Sequence, residues 1–346
     1  MSRIEWTSRT WNPVTGCDRV SAGCDHCYAL TLSKRLKSMG AAKYQSDGRP
    51  ETSGPGFGVV THPEVLAEPY RWEQPQLVFV NSMSDLFHPK VPDGFIARVW
   101  QVMAQNPHHT FQVLTKRPKR MRAWVRRWAD TVGDRARDGD SLPPMPSGPQ
   151  QVRDAYSSGR ARLFADALED MGAPPTGAAY PYYDWMEGPR FWPEVLPHVW
   201  LGVSVEDQQS ADERLPLLCQ TPAEVRFVSA EPLIGPIRLH RGHAACPAHD
   251  FPGGSCSDTC PYLITLDWLI IGGESGPRAK IRPLEEEWVR SLITQGSGAG
   301  MAVFVKQLGA LWARAHRLRG KGGDPSQWPE ELRVREYPKQ AQGWGR

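Results

Sequence analysis

Short apolar runs recur along the chain, and each of them ends in small or polar residues. Continuous apolar runs are typical of parallel strands that are buried on both faces. Between several runs, apolar residues recur at helical spacing, as Phe95, Val99 and Val102 do. The predicted strands are 77–85, 109–117, 199–207, 224–232, 266–276 and 301–307, and the predicted helices are 92–106, 210–218 and 284–295.

Strands that alternate with helices imply βαβ units and therefore a parallel sheet. With a further strand before Cys17, the chain contains about six to seven such units. This pattern favours an α/β fold, a partial TIM-type (β/α) barrel built from 1–120 and 186–346. A doubly wound sheet is the alternative. Two insertions interrupt the pattern, a helical one at 121–185 and a Cys/His-rich loop at 240–262.

The composition is typical of a soluble globular protein. Hydrophobic residues make up 40% of the chain and charged residues 23%, and the net charge of +3 is too small to indicate nucleic-acid binding by itself. No stretch approaches the roughly 18 apolar residues of a membrane span, and the N-terminus lacks the apolar core of a signal peptide. We therefore expect a cytoplasmic protein, in a compartment where clustered cysteines bind metal or catalyse more often than they form disulfides.

Three cysteines lie close together near the N-terminus. Cys17, Cys24 and Cys27 have the spacing C-x6-C-x2-C, and Tyr28 follows at once. Thiols this close are ligands, disulfide partners or redox groups, and an odd number does not suit paired disulfides. Three thiolates are one short of a closed tetrahedral zinc site, whereas a [4Fe–4S] cube on three cysteines leaves one iron open to a small molecule. We expect the chemistry at this loop.

Polar residues follow each of the six predicted strands. In parallel α/β folds the carboxyl ends of strands converge on one face, where sites form. We expect most of these residues to line a common cavity, and ordinary loop polarity is the alternative. The pair Gly272-Gly273 would let a ligand approach the backbone closely. The other residues are Asn81, Ser82, Ser84, Asp85, Thr115, Lys116, Arg117, Ser204, Glu206, Asp207, Ser229, Glu231, Glu274, Ser275, Lys306 and Gln307.

Both insertions contain residues that could bind a ligand or a metal ion. The insertion at 121–185 begins with an Arg- and Trp-rich amphipathic stretch, which is either a solvated helix face or a contact for a phosphate backbone. The loop at 240–262 contains four thiol or imidazole side chains, enough to close a tetrahedral zinc site that would order the loop. Structural zinc, an accessory iron–sulfur cluster and no metal are the three alternatives for this set. Its members are Cys246, His249, Cys256 and Cys260.

The motifs in their order resemble those of a family named after mycobacteriophage gene products thirty-seven and sixty-eight, found in phages and bacteria. The resemblance covers nearly the whole chain apart from the two insertions. That family is in turn similar to radical S-adenosylmethionine (SAM) enzymes. The motifs are G-C-D-R-V-S-A-G-C-D-H-C-Y-A, N-S-M-S-D-L-F-H, L-T-K-R-P, W-L-G-V-S-V-E, S-A-E-P-L-I-G-P-I, W-L-I-I-G-G-E-S-G and F-V-K-Q.

The resemblance implies a partial TIM-type barrel, a [4Fe–4S] cluster on Cys17, Cys24 and Cys27, and SAM on the open iron. Reduction of the cluster by an electron donor would then cleave SAM to a 5′-deoxyadenosyl radical that attacks the substrate. The chain departs from the usual radical SAM spacing C-x3-C-x2-C. Six residues separate its first two cysteines, and His26 stands where an aromatic residue commonly precedes the third.

The resemblance supplies no substrate, and the strand-end residues take their expected roles from their chemistry and from the mechanism. The basic side chains of Lys116, Arg117 and Lys306 suit a phosphate or carboxylate, so we expect an anionic substrate, a nucleotide or a nucleic-acid component. The candidate catalytic residues are Glu206, Glu231, Glu274 and Lys306; Tyr28, Ser204, Gly272, Gly273 and Glu274 join the cysteines as candidate cofactor-binding residues; and Asp85, Lys116 and Arg117 are the candidate substrate-binding residues.

Two other functions fit the same residues. A zinc-dependent hydrolase or deaminase would use the cysteines or His26 as ligands and a strand-end carboxylate as general base. A non-enzymatic nucleic-acid-binding protein would use the metal sites for structure alone and the basic segment after 120 for contact.

Overall fold

The computed structural model of the chain describes residues 4–137, 195–239, 265–275 and 281–339. Seven strands form one sheet in which every neighbouring pair is parallel. A separate pair is antiparallel. The strands are β1 (Arg9–Trp11), β2 (Val14–Thr15), β3 (Val60–Thr61), β4 (Leu77–Val80), β5 (Thr110–Thr115), β6 (Val199–Ser204), β7 (Arg226–Ala230), β8 (Trp268–Gly272) and β9 (Ala302–Gln307).

The strand order in the large sheet is β1-β4-β5-β6-β7-β8-β9, which follows the chain without a reversal. A doubly wound sheet reverses its order at a switch point, so this sheet is singly wound and forms a half-barrel. All six strands expected from the apolar runs are present, and β1 is the expected strand before Cys17. The helices are α1 (Tyr28–Ser38), α2 (Asp93–Ala104), α3 (Pro118–Arg137), α4 (Gln208–Cys219), α5 (Glu286–Gly298) and α6 (Ala310–Ala315), and α2, α4 and α5 confirm the three predicted helices.

Alternate residues of each strand face two different apolar layers. On β4, Val78 and Val80 pack in the layer between sheet and helices, whereas Phe79 points to the concave side. The concave layer is aromatic, with the rings of Trp6 and Phe79 4.8 Å apart. Burying one such side chain stabilises the fold by roughly 1.5–3 kcal/mol. Its members are Trp6, Phe79, Trp200, Val225, Phe227, Trp268, Ile270 and Phe304.

The two-residue period of the strands also places the polar residues of the concave side. Trp200, Gly202 and Ser204 are alternate residues of β6, so all three lie on the concave face of the sheet. A Cβ on Gly202 would lie 2.5 Å from the ring of Phe227, so only glycine leaves room for that ring. The aromatic layer therefore closes the base of the half-barrel, and polar residues follow it toward the carboxyl ends of the strands.

The Arg- and Trp-rich stretch belongs to α3, which begins before the predicted insertion at 121–185. Met121, Trp124 and Trp128 are buried in the layer between sheet and helices, so these tryptophans are not available for stacking on bases. The remainder of that insertion, from 138, lies outside the described residues, and so do Cys246, His249, Cys256 and Cys260. Within the described ranges, no helix is both long and apolar enough to pass through a bilayer.

Candidate functional site

A cleft opens at the carboxyl ends of the strands and encloses about 1160 Å³, including its open mouth. Its apolar floor is formed by Trp6, Phe79 and Leu114. The expected strand-end residues in its lining are Asn81, Ser82, Ser84, Asp85, Thr115, Lys116, Arg117, Ser204, Ser229, Glu231, Gly273, Glu274, Ser275 and Lys306.

The cysteine loop forms one wall of this cleft. Cys17, Cys24 and Cys27 all line it, each is partly exposed, and each is a free thiol. The Cys27 N–H donates to the Cys24 carbonyl at 3.2 Å, and α1 begins at the next residue, Tyr28, which also lines the cleft. In the part of the chain that the structure describes, no three His, Cys, Asp or Glu side chains lie close enough to share a single metal ion.

Burial keeps two of these thiols protonated. Burial and the nearby Asp85 carboxylate raise the pKa of Cys17 to about 12, and burial raises the pKa of Cys27. A metal that binds these sulfurs must therefore displace protons, which makes its affinity depend on pH.

The loop enters the site through a glycine that no other residue could replace without strain. Gly16 has φ +85°, and a Cβ there would lie 2.0 Å from the Gly58 carbonyl oxygen. The Gly16 N–H donates to the Met83 carbonyl at 3.0 Å. This tight passage fixes the direction in which Cys17 leaves the backbone.

Asp18 anchors the loop immediately after Cys17. Its Oδ1 accepts hydrogen bonds from Thr52 Oγ1 at 2.6 Å and Ser53 Oγ at 3.0 Å, and its Oδ2 lies 3.1 Å from His88 Nε2. Burial opposes ionisation of this carboxyl, but the hydrogen bonds from Thr52 and Ser53 outweigh it and hold the pKa of Asp18 at about 2. Asp18 is therefore a structural anion rather than a ligand-facing one.

Glu206 lies beneath the loop. Its carboxylate accepts a hydrogen bond from Ser21 Oγ at 3.1 Å and pairs with Lys116 Nζ at 2.7 Å and Arg214 Nη1 at 3.0 Å. Burial opposes its charge, but Lys116 and Arg214 together hold the pKa of Glu206 below its ordinary value. Gly23 rests on this side chain, because a Cβ at Gly23 would lie 2.2 Å from the Glu206 Cγ. Glu206 thus connects the cysteine loop to β6 and α4.

Glu274 secures the other end of the loop. It pairs with Arg282 Nη2 at 2.6 Å and lies 3.2 Å from His26 Nδ1. The same guanidinium donates to the Ala22 carbonyl at 2.9 Å. Burial is offset by the hydrogen bonds from Arg282 and His26, so the pKa of Glu274 is lowered. Both carboxylates that flank the loop are therefore already bound by the protein's own cations.

Glu231 and Lys306 are the more accessible pair at the cleft. Lys306 Nζ lies 2.6 Å from Glu231 Oε1, and the side chains are 13% and 21% exposed, respectively. Ser204 Oγ accepts a hydrogen bond from Lys116 and donates to the Glu231 carbonyl at 3.0 Å. This group joins β5, β6, β7 and β9 and presents one ammonium and one carboxylate to a ligand.

Arg117 contacts the first cysteine directly. Its Nη1 lies 3.3 Å from Cys17 Sγ and 2.9 Å from Asp85 Oδ2, and its Nη2 donates to the Asp18 carbonyl at 2.9 Å. Asp85 is held in turn by Thr115 Oγ1 at 2.7 Å. This arginine therefore belongs to the cysteine loop as much as to the cleft.

Each of the three basic residues expected to hold an anionic substrate has a carboxylate partner in the protein. Buried cations need such partners, and these meet the need without a ligand. The pairs are Lys116 with Glu206 at 2.7 Å, Arg117 with Asp85 at 2.9 Å and Lys306 with Glu231 at 2.6 Å.

The protein's own atoms occupy the space that the two glycines at the end of β8, Gly272 and Gly273, were expected to leave for a ligand. A Cβ on Gly273 would lie 2.7 Å from the Leu308 carbonyl oxygen. A Cβ on Gly272 would lie 3.1 Å from the Glu231 carboxyl carbon. Both glycines therefore allow β8 to pack against β9 and against the Glu231–Lys306 pair.

Two residues of the site, Arg214 and Arg282, were not predicted from the sequence. Arg214 lies on the apolar stripe of α4 with Leu215 and Leu218, and a cation on such a stripe is a signal that it has a buried partner. Arg282 lies between β8 and β9, and the residues around it form no apolar stripe that would indicate a buried partner.

Comparison with protein families gives a match over residues 1–343 to the family described as Protein of unknown function (DUF5131). The chain matches no curated protein and no solved structure.

Proposed function

We propose that this chain, which belongs to the family Protein of unknown function (DUF5131), is a cytoplasmic radical SAM-type enzyme on a TIM-type half-barrel. One observation carries the proposal. Cys17, Cys24 and Cys27 are free thiols on one wall of a cleft at the carboxyl ends of a singly wound parallel sheet. A [4Fe–4S] cluster on three thiolates would leave its fourth iron open toward that cleft.

The thiols suit a cluster better than a single ion. Thiolates are soft ligands that favour iron–sulfur clusters, zinc and copper(I). One zinc ion needs its ligands around a single point, and among the described residues no three such groups are arranged that way. A cube takes each thiolate on a different corner, so its ligands need not meet. This favours the cluster over the zinc-dependent hydrolase or deaminase.

When bound, the cluster and SAM would supply one-electron chemistry that cleaves the SAM sulfonium and generates a 5′-deoxyadenosyl radical. The residues of the chain bind, orient and exclude water. Trp6, Phe79 and Leu114 provide an apolar floor that shields a reactive intermediate. Lys306 and Glu231 can exchange their mutual contact for the carboxylate and amino groups of an amino-acid moiety.

The substrate is proposed to be a nucleotide or a nucleic-acid component. To bind through Lys116, Arg117 or Lys306, its anionic group must compete with the carboxylate that each cation already contacts. Lys306 is the best placed, because its partner Glu231 is more exposed than Asp85 or Glu206.

Anaerobic purification tests the proposal. We expect a brown protein that contains iron and sulfide and that, when reduced with dithionite, converts SAM to methionine and 5′-deoxyadenosine. A colourless protein with one equivalent of zinc at Cys17, Cys24 and Cys27 would overturn it in favour of the zinc enzyme. A protein that binds nucleic acid but neither iron nor SAM would instead support the non-enzymatic alternative.

A further inference from the structure

We propose that Arg117 is a positioning residue that sets the reduction potential of the cluster through Cys17, rather than a ligand of the substrate. The inference rests on the proposed function. The Arg117 guanidinium contacts two residues of the cysteine loop, Cys17 and Asp18.

The guanidinium holds the loop at two successive residues. Nη1 lies 3.3 Å from Cys17 Sγ, and Nη2 donates to the Asp18 carbonyl at 2.9 Å. The Arg117 N–H donates to Thr115 Oγ1 at 2.8 Å, which fixes the start of the side chain as well. A planar, multidentate guanidinium can make these contacts together, whereas the ammonium of a lysine acts as a single point charge.

This contact is distinct among the hydrogen bonds to the three sulfurs. Among the described residues, Cys24 Sγ lies 4.0 Å from the Ser21 hydroxyl, which is neutral. Cys17 Sγ instead has a charged donor, the Arg117 guanidinium. Hydrogen bonds to cluster sulfurs and the net charge near a cluster set its potential. A positive donor stabilises the reduced, more negative cluster, so Arg117 raises the potential.

Asp85 acts in the opposite direction. Its Oδ2 lies 2.9 Å from Arg117 Nη1, and the two side chains are only 7% and 11% exposed, respectively. In such a site charges are weakly screened, so the carboxylate offsets part of the effect of the guanidinium. Removal of the negative charge should therefore raise the potential, and removal of the positive charge should lower it.

Redox titration of the anaerobic holoprotein without SAM, followed by electron paramagnetic resonance, tests this directly. We compare wild type with Arg117→Gln, Arg117→Lys and Asp85→Asn. Arg122→Gln is the matched control, because Arg122 lies on α3, which begins one residue after Arg117, and contacts Gln220 rather than the loop. Iron and sulfide are counted for every sample.

The expected result is a lower potential for Arg117→Gln, a smaller decrease for Arg117→Lys, a higher potential for Asp85→Asn and no change for Arg122→Gln. Opposite shifts from the two partners are not expected of residues that only support the fold. A wild-type potential in Arg117→Gln with full iron content overturns the inference.

Two further outcomes are also decisive. If Arg117→Gln loses its cluster, Asp85→Asn decides, and an unchanged potential there overturns the inference while the proposed function stands. A wild-type protein without iron and sulfide overturns the proposed function and this inference with it.

Discussion

Gly23 rests directly on the buried side chain of Glu206, so closely that a Cβ on the glycine would lie 2.2 Å from the Glu206 Cγ. The same carboxylate accepts a hydrogen bond from Ser21 and pairs with Arg214. The loop between Cys17 and Cys24 therefore packs on the Glu206 carboxylate, whose charge is neutralised by Arg214. Ser21 and Gly23, which make these contacts with Glu206, both lie in this loop.

Replacement of Gly23 by alanine should lift the loop from Glu206. We expect Gly23→Ala to lose most of its bound iron while the barrel remains folded, because the strands do not depend on this contact. The measurements are iron per chain and the thermal midpoint. Gly298→Ala is the control, since a Cβ at Gly298 meets no atom within 4 Å. Full iron content in Gly23→Ala would show that the seat is dispensable.

Gly202→Ala tests the packing of the aromatic layer on the concave side of the sheet. The added Cβ would lie 2.5 Å from the Phe227 ring, and overpacking of this kind costs about 1–3 kcal/mol. We expect the free energy of unfolding in urea to fall by that amount, whereas the Gly298→Ala control, at the last residue of α5, should be at least as stable as wild type. Equal stability of Gly202→Ala and wild type would mean that the ring has room to move.

Two buried histidines should make the fold sensitive to mild acid. Burial lowers the pKa of both His109 and His198 from 6.5 to about 4. Between those pH values the unfolded chain binds more protons than the folded one, so stability falls as the pH decreases from 6.5 to about 4. The loss is at most roughly 3 kcal/mol per histidine, from about 1.4 kcal/mol per unit of pKa.

Urea unfolding at a series of pH values measures this loss. His198→Gln should reduce the dependence. A free energy of unfolding that stays constant between pH 6.5 and 4 in wild type would disprove the prediction.

The Glu231–Lys306 pair should bind ligand without holding the cluster. Lys306→Met removes the ammonium 2.6 Å from Glu231 and is expected to weaken SAM or substrate binding at least tenfold, at unchanged iron content. Lys321→Met is the control, because Lys321 pairs with Glu5 at the surface. Wild-type affinities for both ligands in Lys306→Met would remove this pair from the site.

The sequence predicted what local patterns determine. Continuous apolar runs such as 199–204 become central strands because both of their faces are buried, and the order of strands and helices leads to a singly wound sheet. The convergence of strand ends placed Lys116 and Ser204 in one cleft with the cysteine loop.

The partners of individual side chains were not predictable in this way. Glu206 and Glu274 were predicted as catalytic residues that contact SAM or the substrate, and the structure shows pairs with Arg214 and Arg282 that the sequence did not predict. Such pairs depend on which loops meet in three dimensions, and nothing in the spacing of the residues specifies it. Arg117 was assigned to the substrate for the same reason, since its contact with Cys17 joins segments far apart in the chain.

The central claim is that three cysteines of one loop hold an iron–sulfur cluster. Anaerobic reconstitution with iron and sulfide, followed by metal and sulfide analysis, tests it on wild type, Cys17→Ala, Cys24→Ala, Cys27→Ala and the control Cys219→Ala. Cys219 lies at the end of α4, against the layer between sheet and helices.

We predict about four iron and four sulfide ions per chain in wild type and in Cys219→Ala, and a loss of most of both in each of the other three variants. All three of those variants should keep the unfolding transition of the barrel. Full iron and sulfide content in any one of Cys17→Ala, Cys24→Ala or Cys27→Ala, or zinc in place of iron in wild type, would contradict the claim.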